Sequence, residues 1–234
     1  MATFATATVT AARRLSPHVR EITLRPDSGS LNPYLPGQWL SLRLPIGDNP
    51  PLIRAYSLAT APNQDGSLVL CFDRVEGGLG SEYLWGVEPG TPIEYGGPVG
   101  NFVPAEDADP LLMVASFTGI VPFRAMLQQM ANAAVAPVAV RLLYATPQGS
   151  ERIYEAEFAA MVDAGTSLDY QSIVGGAPET VARLVADARG WMPFAPMICG
   201  VREFTAPVRA ALMETCGFDR RQIKVENYSG PTAR

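Results

Sequence analysis

The sequence is poor in the residues that build metal centres and hydrolytic triads. Only three cysteines and one histidine occur among its 234 residues. The chain alone therefore cannot supply four thiolates for a zinc or iron–sulfur site, and a disulfide framework is excluded by the same count. The single histidine excludes most catalytic triads and His-based metal sites, so no metal site is expected. Any redox metal chemistry must come from a partner.

Basic runs and long apolar runs are also missing. Lys and Arg number 18 against 23 Asp and Glu, a net charge of -5. No basic stripe is present to follow a phosphate backbone, which argues against nucleic acid as a partner. No run of roughly 18 apolar residues occurs, and the first residues do not have the pattern of a signal peptide. We therefore expect a soluble, cytoplasmic protein without membrane insertion.

Glycine and proline, in contrast, are abundant, at 21 residues each. Up to about residue 104 they separate short runs rich in β-branched and aromatic residues, which is typical of a small antiparallel barrel. A short helix is predicted over residues 80–85, with Ser81 as its capping residue. The predicted strands cover residues 5–15, 19–25, 38–44, 53–59, 67–74 and 91–95.

Beyond residue 104, strand-like runs alternate with helical ones, which predicts a parallel sheet with helices on both faces. The fold class is thus β + α/β. An antiparallel β-barrel domain is expected over residues 1–104, a parallel-sheet nucleotide-binding domain over 105–234, and a linker over 105–110. The runs lie at 111–115, 138–144, 167–174, 197–199 and 223–228 for strands and at 122–134, 154–163, 178–188 and 206–216 for helices.

The first candidate site lies at the exit of the fourth strand, where the sequence reads Arg54-Ala55-Tyr56-Ser57. A planar tricyclic ligand with a phosphate needs an aromatic face, a hydroxyl and a cation. Strand alternation places Arg54 and Tyr56 on one face and turns Ser57 to the other. Taken alone, the pattern fits ordinary barrel residues as well.

A glycine-rich turn over residues 75–81 leads into the predicted helix. Backbone N–H groups of such a turn, together with the helix dipole, suit a pyrophosphate, although a plain turn explains the glycines equally well. Further motifs lie at residues 96–102, at the domain junction; at 116–122, after the first strand of the second domain; at 199–200, at a strand end; and at 226–228.

In this order the motifs resemble those of the ferredoxin–NADP reductase superfamily, and the resemblance covers nearly the whole chain. Six matches at the right spacings make chance improbable. The matching residues are Arg54, Tyr56 and Ser57; Gly78 and Ser81; Gly97, Pro98, Gly100 and Phe102; residues 118–124, with the pattern Thr-Gly-Ile-x-Pro-Phe-Arg; Cys199 and Gly200; and Glu226 and Tyr228.

The resemblance implies that the barrel is a flavin-binding domain, with FAD favoured over FMN. By this analogy the Tyr56 ring lies against the flavin, the Ser57 hydroxyl reaches the flavin N5 region and Arg54 pairs with a phosphate. Backbone amides at Gly80 and Ser81 would bind the pyrophosphate. The implied flavin contacts are Arg54, Ala55, Tyr56, Ser57, Phe72, Arg74, Gly78, Gly80, Ser81 and Tyr228.

The second domain is implied to bind NADH or NADPH as co-substrate. The nicotinamide would lie over Thr118 and Cys199, with the neighbouring Gly119 also binding the coenzyme and Glu226 close by, while Tyr228 shields a flavin face. The implied catalytic residues are Ser57, Cys199, Glu226 and Tyr228. Direct hydride transfer needs no general base, which is compatible with a chain that holds one histidine.

The expected function is that of a flavin-dependent NAD(P)H oxidoreductase that passes electrons to a separate acceptor, such as a ferredoxin, an oxygenase component or a small molecule. Two alternatives remain open. The chain could be a flavin-binding electron-transfer or regulatory module with impaired nicotinamide binding, or a free flavin reductase that uses flavin as a substrate.

Two departures from the family pattern concern the coenzyme. Ser116 and Phe117 stand where the family usually has two glycines, and glycine permits close backbone approach to dinucleotide phosphates. Phe117 either turns into the core or narrows the site. Ile173 stands where NADPH-preferring members usually have arginine, which favours NADH unless Arg152 or Arg183 approaches the 2'-phosphate.

Overall fold

The computed structural model describes residues 3–28, 33–47, 50–105, 110–133, 138–191 and 194–228. The chain divides into two units. The first is Met1–Val103 with Arg124–Gln129, and the second is Pro104–Phe123 with Met130–Arg234. Most of the predicted linker, residues 106–109, lies outside the described residues.

The first unit is built on a six-stranded antiparallel sheet in the order β4-β3-β6-β1-β2-β5. A helix, α1 (Leu79–Trp85), lies between β5 and β6 in the chain. The strands are β1 (Ala5–Arg14), β2 (Val19–Pro26), β3 (Trp39–Leu44), β4 (Leu52–Ser57), β5 (Leu68–Asp73) and β6 (Pro92–Val99).

Strand alternation builds the core of this sheet. Along β3, Leu40, Leu42 and Leu44 are fully buried while the residues between them are partly exposed, as expected for a strand with one face in the core. The two ends of the sheet meet at a single antiparallel bridge between Leu58 and Leu70. The predicted antiparallel architecture is therefore confirmed, although no continuous ladder closes the barrel among the described residues.

The second unit is a five-stranded parallel sheet in the order β11-β10-β7-β8-β9. Its central strand β7 has five consecutive buried residues, as expected when helices cover both faces. The elements are β7 (Leu111–Ser116), α2 (Ile120–Asn132), β8 (Val140–Thr146), α3 (Glu155–Asp163), β9 (Leu168–Val174), α4 (Ala177–Ala186), β10 (Ala195–Val201), α5 (Arg202–Glu214) and β11 (Lys224–Tyr228).

The alternation of strand and helix agrees with the predicted parallel sheet, so the β + α/β fold class is confirmed. The clearest difference in bounds is α5, which begins at Arg202 rather than at residue 206 because Pro207 lies inside the helix instead of opening it. Within the described ranges, no helix has both the length and the apolar character needed to cross a membrane.

Candidate functional site

The Arg-x-Tyr-Ser motif occupies the end of strand β4. Tyr56 lies opposite Leu40 and Arg54 opposite Leu42, whereas Ser57 lies one position further along. Directly opposed residues of neighbouring strands share a face of the sheet. Arg54 and Tyr56 therefore lie on the face of the two buried leucines, and Ser57, itself buried, lies on the other face.

Tyr56 combines an apolar ring contact with a neutral hydroxyl. Its ring packs edge-on against Phe72, with ring centroids 5.7 Å apart and an interplanar angle of 63°. Burial raises the pKa of the Tyr56 phenol to about 12, the positive charge of Arg54 opposes this shift, and Asp73 adds to it. The group stays protonated at physiological pH and can donate a hydrogen bond.

Arg54 lies against the first turn of helix α1. A Cβ placed on Gly80 would be 3.1 Å from Cγ of Arg54, so the missing side chain leaves room for the arginine stem. The guanidinium is exposed, and Nη1 donates to the carbonyl of Ile53 at 2.8 Å. Ala55, also exposed, lies between the two residues that share the core-facing side of β4.

Ser81 does not cap helix α1, so that prediction is wrong. The helix begins at Leu79 with Gly78 as its N-cap residue and has no side-chain cap. The Ser81 hydroxyl instead accepts a hydrogen bond from the amide of Val75 at 3.0 Å and donates one to the carbonyl of Gly78 at 3.1 Å. The side chain closes the preceding turn because both partners lie within its reach there.

The helix start can still offer donors to an anion. The amide of Glu82 donates to the carbonyl of Gly78 at 2.9 Å, which is the first hydrogen bond of the helix. The amides of residues 79–81 precede this bond, in the positions that have no partner within a helix. These donors and the Arg54 guanidinium are the groups that a pyrophosphate would need.

Arg74, a predicted cofactor contact, is held by helix α1. Its guanidinium pairs with the carboxylate of Glu82 through contacts of 2.8 to 3.1 Å and lies 5.6 Å from the ring centroid of Trp85. Both partners are on the flank of the helix. Arg74 therefore positions α1, and a phosphate contact would compete with Glu82.

In the second unit, the predicted coenzyme residues meet at the carboxyl ends of β7, β10 and β11. Cys199 of β10 lies directly opposite Glu226 of β11. Two residues further along, the hydroxyl of Tyr228 donates to the backbone carbonyl of Thr118 at 3.3 Å. The carboxyl ends of the strands are where open α/β sheets bind ligands.

The thiol of Cys199 is neutral in this environment. Burial raises the pKa of the Cys199 thiol well above its ordinary value, the negative charge of Glu226 raises it further, and a hydrogen bond with the Tyr228 side chain opposes both. A thiolate is the nucleophilic form of cysteine. A buried, neutral Cys199 is therefore not suited to covalent catalysis.

Two glycines let the turn after β7 approach the end of β10. A Cβ on Gly119 would lie 2.3 Å from the carbonyl oxygen of Cys199. A Cβ on Gly200, where φ is +157°, would lie 3.0 Å from Cβ of Ser116. Close packing thus explains both glycines: Gly119 of the Thr-Gly motif packs on backbone, and Gly200 of the Cys-Gly motif packs on the Ser116 side chain.

Phe117 has an uncommon backbone conformation for a bulky residue. Its φ is +50°, in the left-handed region that glycine adopts without penalty. The side chain is partly exposed, while Thr118 and Gly119 are buried. The ring is therefore not fully buried, and both expectations, a ring that turns into the core and a narrowed coenzyme site, stay predictions.

Comparison with known proteins identifies the family. Residues 6–103 match the family described as the oxidoreductase FAD-binding domain. Ferredoxin–NADP reductase B of Sorangium cellulosum (strain So ce56) is 32% identical to this chain, over 95% of this chain and 96% of that protein. The chain belongs to the ferredoxin–NADP reductase family. The family resemblance of the sequence is thereby confirmed.

A further relative and a solved structure are also similar to this chain. The ferredoxin reductase component of 3-ketosteroid-9-alpha-monooxygenase from Rhodococcus rhodochrous is 28% identical over 84% of this chain and 56% of that protein. The solved structure of ferredoxin-NADP+ reductase from Plasmodium falciparum has a TM-score of 0.83 at 16% identity, and the match covers 97% of both chains. At that identity the structural likeness concerns the fold.

The reductase-family motif at residues 118–124 ends in an arginine whose contacts the sequence did not reveal. Nη1 of Arg124 donates to the carbonyl of Ala59 at 2.9 Å and lies 3.7 Å from the buried carboxylate of Glu21. One turn later, Oε1 of Gln128 accepts from the amide of Ala61 at 3.0 Å. Both side chains thus hold the segment that follows the Arg-x-Tyr-Ser motif in the first unit.

The arginines considered for the 2'-phosphate of NADPH in this reductase have protein partners. Nη1 of Arg152 pairs with Glu155 at 3.0 Å, and Nε of Arg183 donates to Oε1 of Gln171 at 3.0 Å. Ile173, near the end of β9, is partly buried and offers no charge. Recruiting either guanidinium for a phosphate would require giving up or sharing these contacts.

Proposed function

We propose that this protein is an FAD-dependent NAD(P)H oxidoreductase that passes electrons from a nicotinamide coenzyme to a separate acceptor. The observation that carries the proposal is the cluster of Thr118, Cys199, Glu226 and Tyr228 at the carboxyl ends of three parallel strands. The same chain carries the FAD-binding domain of an oxidoreductase family. Residues 1–104 form the flavin domain and residues 105–234 the NAD(P) domain in this proposal.

The first unit fits the chemistry of FAD. The exposed guanidinium of Arg54 and the amides at the start of α1, including those of Gly80 and Ser81, are cationic or polar donors for the pyrophosphate. The ring of Tyr56 supplies an apolar face for the flavin, and Ser57 supplies a hydroxyl for its N5 region. The pyrophosphate donors favour FAD over FMN, because FMN has a single phosphate.

In the second unit, the side chains are proposed to orient the nicotinamide coenzyme. Thr118 and Cys199 border the nicotinamide, Glu226 lies beside the thiol, and the Tyr228 hydroxyl holds the carbonyl of Thr118. Bound flavin accepts two electrons as hydride and can release them singly to an acceptor. Holding two reactants in the right geometry can lower a barrier by roughly 7 to 11 kcal/mol. No side chain has to act as a general base.

We propose a ferredoxin or an oxygenase component as the acceptor. Relatives of this chain are named as a ferredoxin–NADP reductase and as the reductase component of a monooxygenase, which supports this class of partner. The chain holds three cysteines, fewer than the four thiolates of a typical iron–sulfur site. A cluster-bearing acceptor would therefore lie outside these residues. The predicted cytoplasmic location stays a prediction.

We further propose that NADH is preferred over NADPH. A 2'-phosphate is recognised best by a bidentate guanidinium, and Ile173 stands where arginine would serve. Arg152 and Arg183 are engaged by Glu155 and Gln171. The relative from Sorangium cellulosum carries NADP in its name, so a direct comparison of the two coenzymes is required.

Absorbance spectroscopy tests the proposed function. The purified protein should be yellow, and anaerobic NADH should bleach the flavin band near ~450 nm within a turnover time. Ferricyanide, as an artificial one-electron acceptor, should then restore the band. Bound flavin that remains oxidised with both NADH and NADPH would refute the proposal in favour of a module with impaired coenzyme binding. A colourless protein that oxidises NADH only with added FMN would indicate a free flavin reductase.

A further inference from the structure

The backbone at Phe117 keeps a conformation that its side chain disfavours. The φ of +50° lies in the left-handed region, where the Cβ of an L-residue crowds the backbone and glycine does not. The family resemblance places glycine at this position. A chain that keeps phenylalanine here retains a conformational penalty that one substitution would remove.

The ring of Phe117 lies outside one of the core clusters of the second unit. The core around Leu112, Val114, Ile198 and Phe204, as described, does not include Phe117 among its buried or packed residues. The ring is partly exposed, although the next residue, Thr118, is buried. Residues in sparsely populated conformations persist where the surroundings impose them, and they cluster at ligand sites.

The position of Phe117 is that of a ligand contact. Phe117 directly follows β7 and is the first residue of a short 3-10 helix, Phe117–Gly119, that precedes helix α2. β7 lies between β10 and β8 in the sheet, and in an open α/β sheet the carboxyl ends of such strands border the ligand crevice. The following carbonyl, that of Thr118, accepts the hydrogen bond from Tyr228.

The strand order brings a coenzyme at the proposed contacts close to this point. The proposed nicotinamide contacts are Cys199 of β10 and Thr118, which follows β7, the neighbouring strand. A dinucleotide bound there would lie within reach of the end of β7, since adjacent strands are about 4.8 Å apart. An aromatic ring at the end of β7 offers that molecule an apolar face.

We propose that Phe117 is a coenzyme-binding residue whose ring packs on the nicotinamide dinucleotide where it crosses the end of β7. The inference rests on the proposed function. It differs from a narrowed site, because the ring contributes affinity instead of obstructing the coenzyme. Glycine in the same left-handed conformation would have no side chain to make this contact.

Three substitutions test this role against an obstructing ring. F117A and F117G both remove the ring, and F117Y retains it. We expect the Kd for NAD+, measured by isothermal titration with the FAD-loaded protein, and the KM for NADH to rise about tenfold in F117A and F117G. The kcat should stay within about twofold and F117Y should resemble the wild type, because the contact is one of binding.

Stability separates the two truncations. F117G should unfold at a higher urea concentration than F117A, because only alanine keeps a Cβ in the left-handed conformation. Val185→Ala, which shortens an exposed apolar side chain of α4 in the same unit, is the control and should change neither Kd nor KM.

The outcomes distinguish this inference from the proposed function. An unchanged or lower Kd for NAD+ in both F117A and F117G overturns the role of Phe117, even when the wild type is reduced by NADH. A wild type that neither NADH nor NADPH reduces refutes the proposed function, and the NAD+ titration then still decides whether Phe117 binds the dinucleotide.

Discussion

The hydroxyl of Tyr228 and the backbone carbonyl of Thr118 are joined by a hydrogen bond of 3.3 Å, although 110 residues separate them in the chain. The bond connects the end of β11 with the turn that opens helix α2. It therefore holds together two segments to which the proposed function assigns coenzyme contacts.

Tyr228→Phe removes this bond and the hydrogen bond with the Cys199 thiol, and it keeps the ring. We expect the free energy of unfolding to fall by about 1 to 2 kcal/mol, since one hydrogen bond usually contributes about 1 kcal/mol net. Urea unfolding measures it. Tyr83→Phe, in the first unit, is the control, and an equal loss in the two variants would contradict a specific role of the Tyr228 hydroxyl.

Gly119→Ala should be more damaging than its small size suggests. The new Cβ would lie 2.3 Å from the carbonyl oxygen of Cys199, and a backbone atom cannot move aside as a side chain can. We expect a loss of roughly 2 kcal/mol or more in the free energy of unfolding. In Gly149→Ala the nearest atom belongs to the Arg152 side chain at 3.8 Å, so this control should remain close to the wild type.

Features that arise from neighbouring residues can be predicted from this sequence, whereas contacts between residues far apart in the chain cannot. Alternation along β3 and the helical spacing in α2 are local, and both elements are found within a few residues of their predicted positions. The partners of Ser81 and of Arg124 depend on which groups the fold brings near. Sequence reasoning therefore assigned Ser81 to a cap and did not find the contact of Arg124 with Ala59.

Phe117 shows the same limit within the candidate site. The sequence identifies it as a residue that replaces glycine, because the flanking motif is recognisable. The partial exposure of the ring and the φ of +50° become evident only in the folded chain. The pattern thus locates the position, while the structure determines its conformation.

Gly80→Ala should weaken FAD binding without weakening the fold. The Cβ would lie 3.1 Å from Cγ of Arg54, which displaces the arginine proposed to bind the phosphate. Alanine in a helix is more favourable than glycine by up to about 1 kcal/mol, so the free energy of unfolding should not fall.

Fluorescence titration of the apoprotein with FAD measures the effect of Gly80→Ala, and we expect a Kd raised about fivefold or more, from a partly lost charged contact. Gly86→Ala, at the C-cap of the same helix, is the matched control, since its Cβ would have an ordinary contact of 3.5 Å with the carbonyl oxygen of Tyr83. Equal affinities in the two variants would argue against a phosphate role for Arg54.

The cysteines should resist thiol reagents in the folded protein. Cys71, Cys199 and Cys216 are buried thiols, and burial raises the pKa of both Cys199 and Cys216. We expect a disulfide reagent at pH 8 to modify far fewer than one thiol per chain before unfolding and all three in guanidinium. Rapid native-state modification abolished by Cys199→Ala would contradict a buried, neutral thiol.

The same shift makes stability depend on pH in a defined direction. The folded pKa of Cys199 lies above the unfolded value, so the folded state binds more protons at alkaline pH. The contribution of the protonated Cys199 thiol to the free energy of unfolding is complete at pH values below its unfolded pKa, near 9, and it decreases as the pH rises above that value. The free energy of unfolding should therefore fall less steeply above pH 9 in Cys199→Ala than in the wild type, as measured by urea unfolding across pH 8 to 10.

Ile173→Arg should shift coenzyme preference toward NADPH. A guanidinium near the end of β9 would supply the charged donor that the native chain lacks, since Arg152 and Arg183 are bound to other side chains. A hydrogen bond to a charged group contributes about 1.5 to 3 kcal/mol, so the ratio of kcat/KM for NADPH to that for NADH should rise roughly 10- to 100-fold.

Val162→Arg, at an exposed position on α3, adds the same charge elsewhere in the unit and should leave the ratio unchanged. A ratio that rises equally in both variants would indicate general electrostatic attraction, and a ratio that is unchanged in Ile173→Arg would place the 2'-phosphate away from β9.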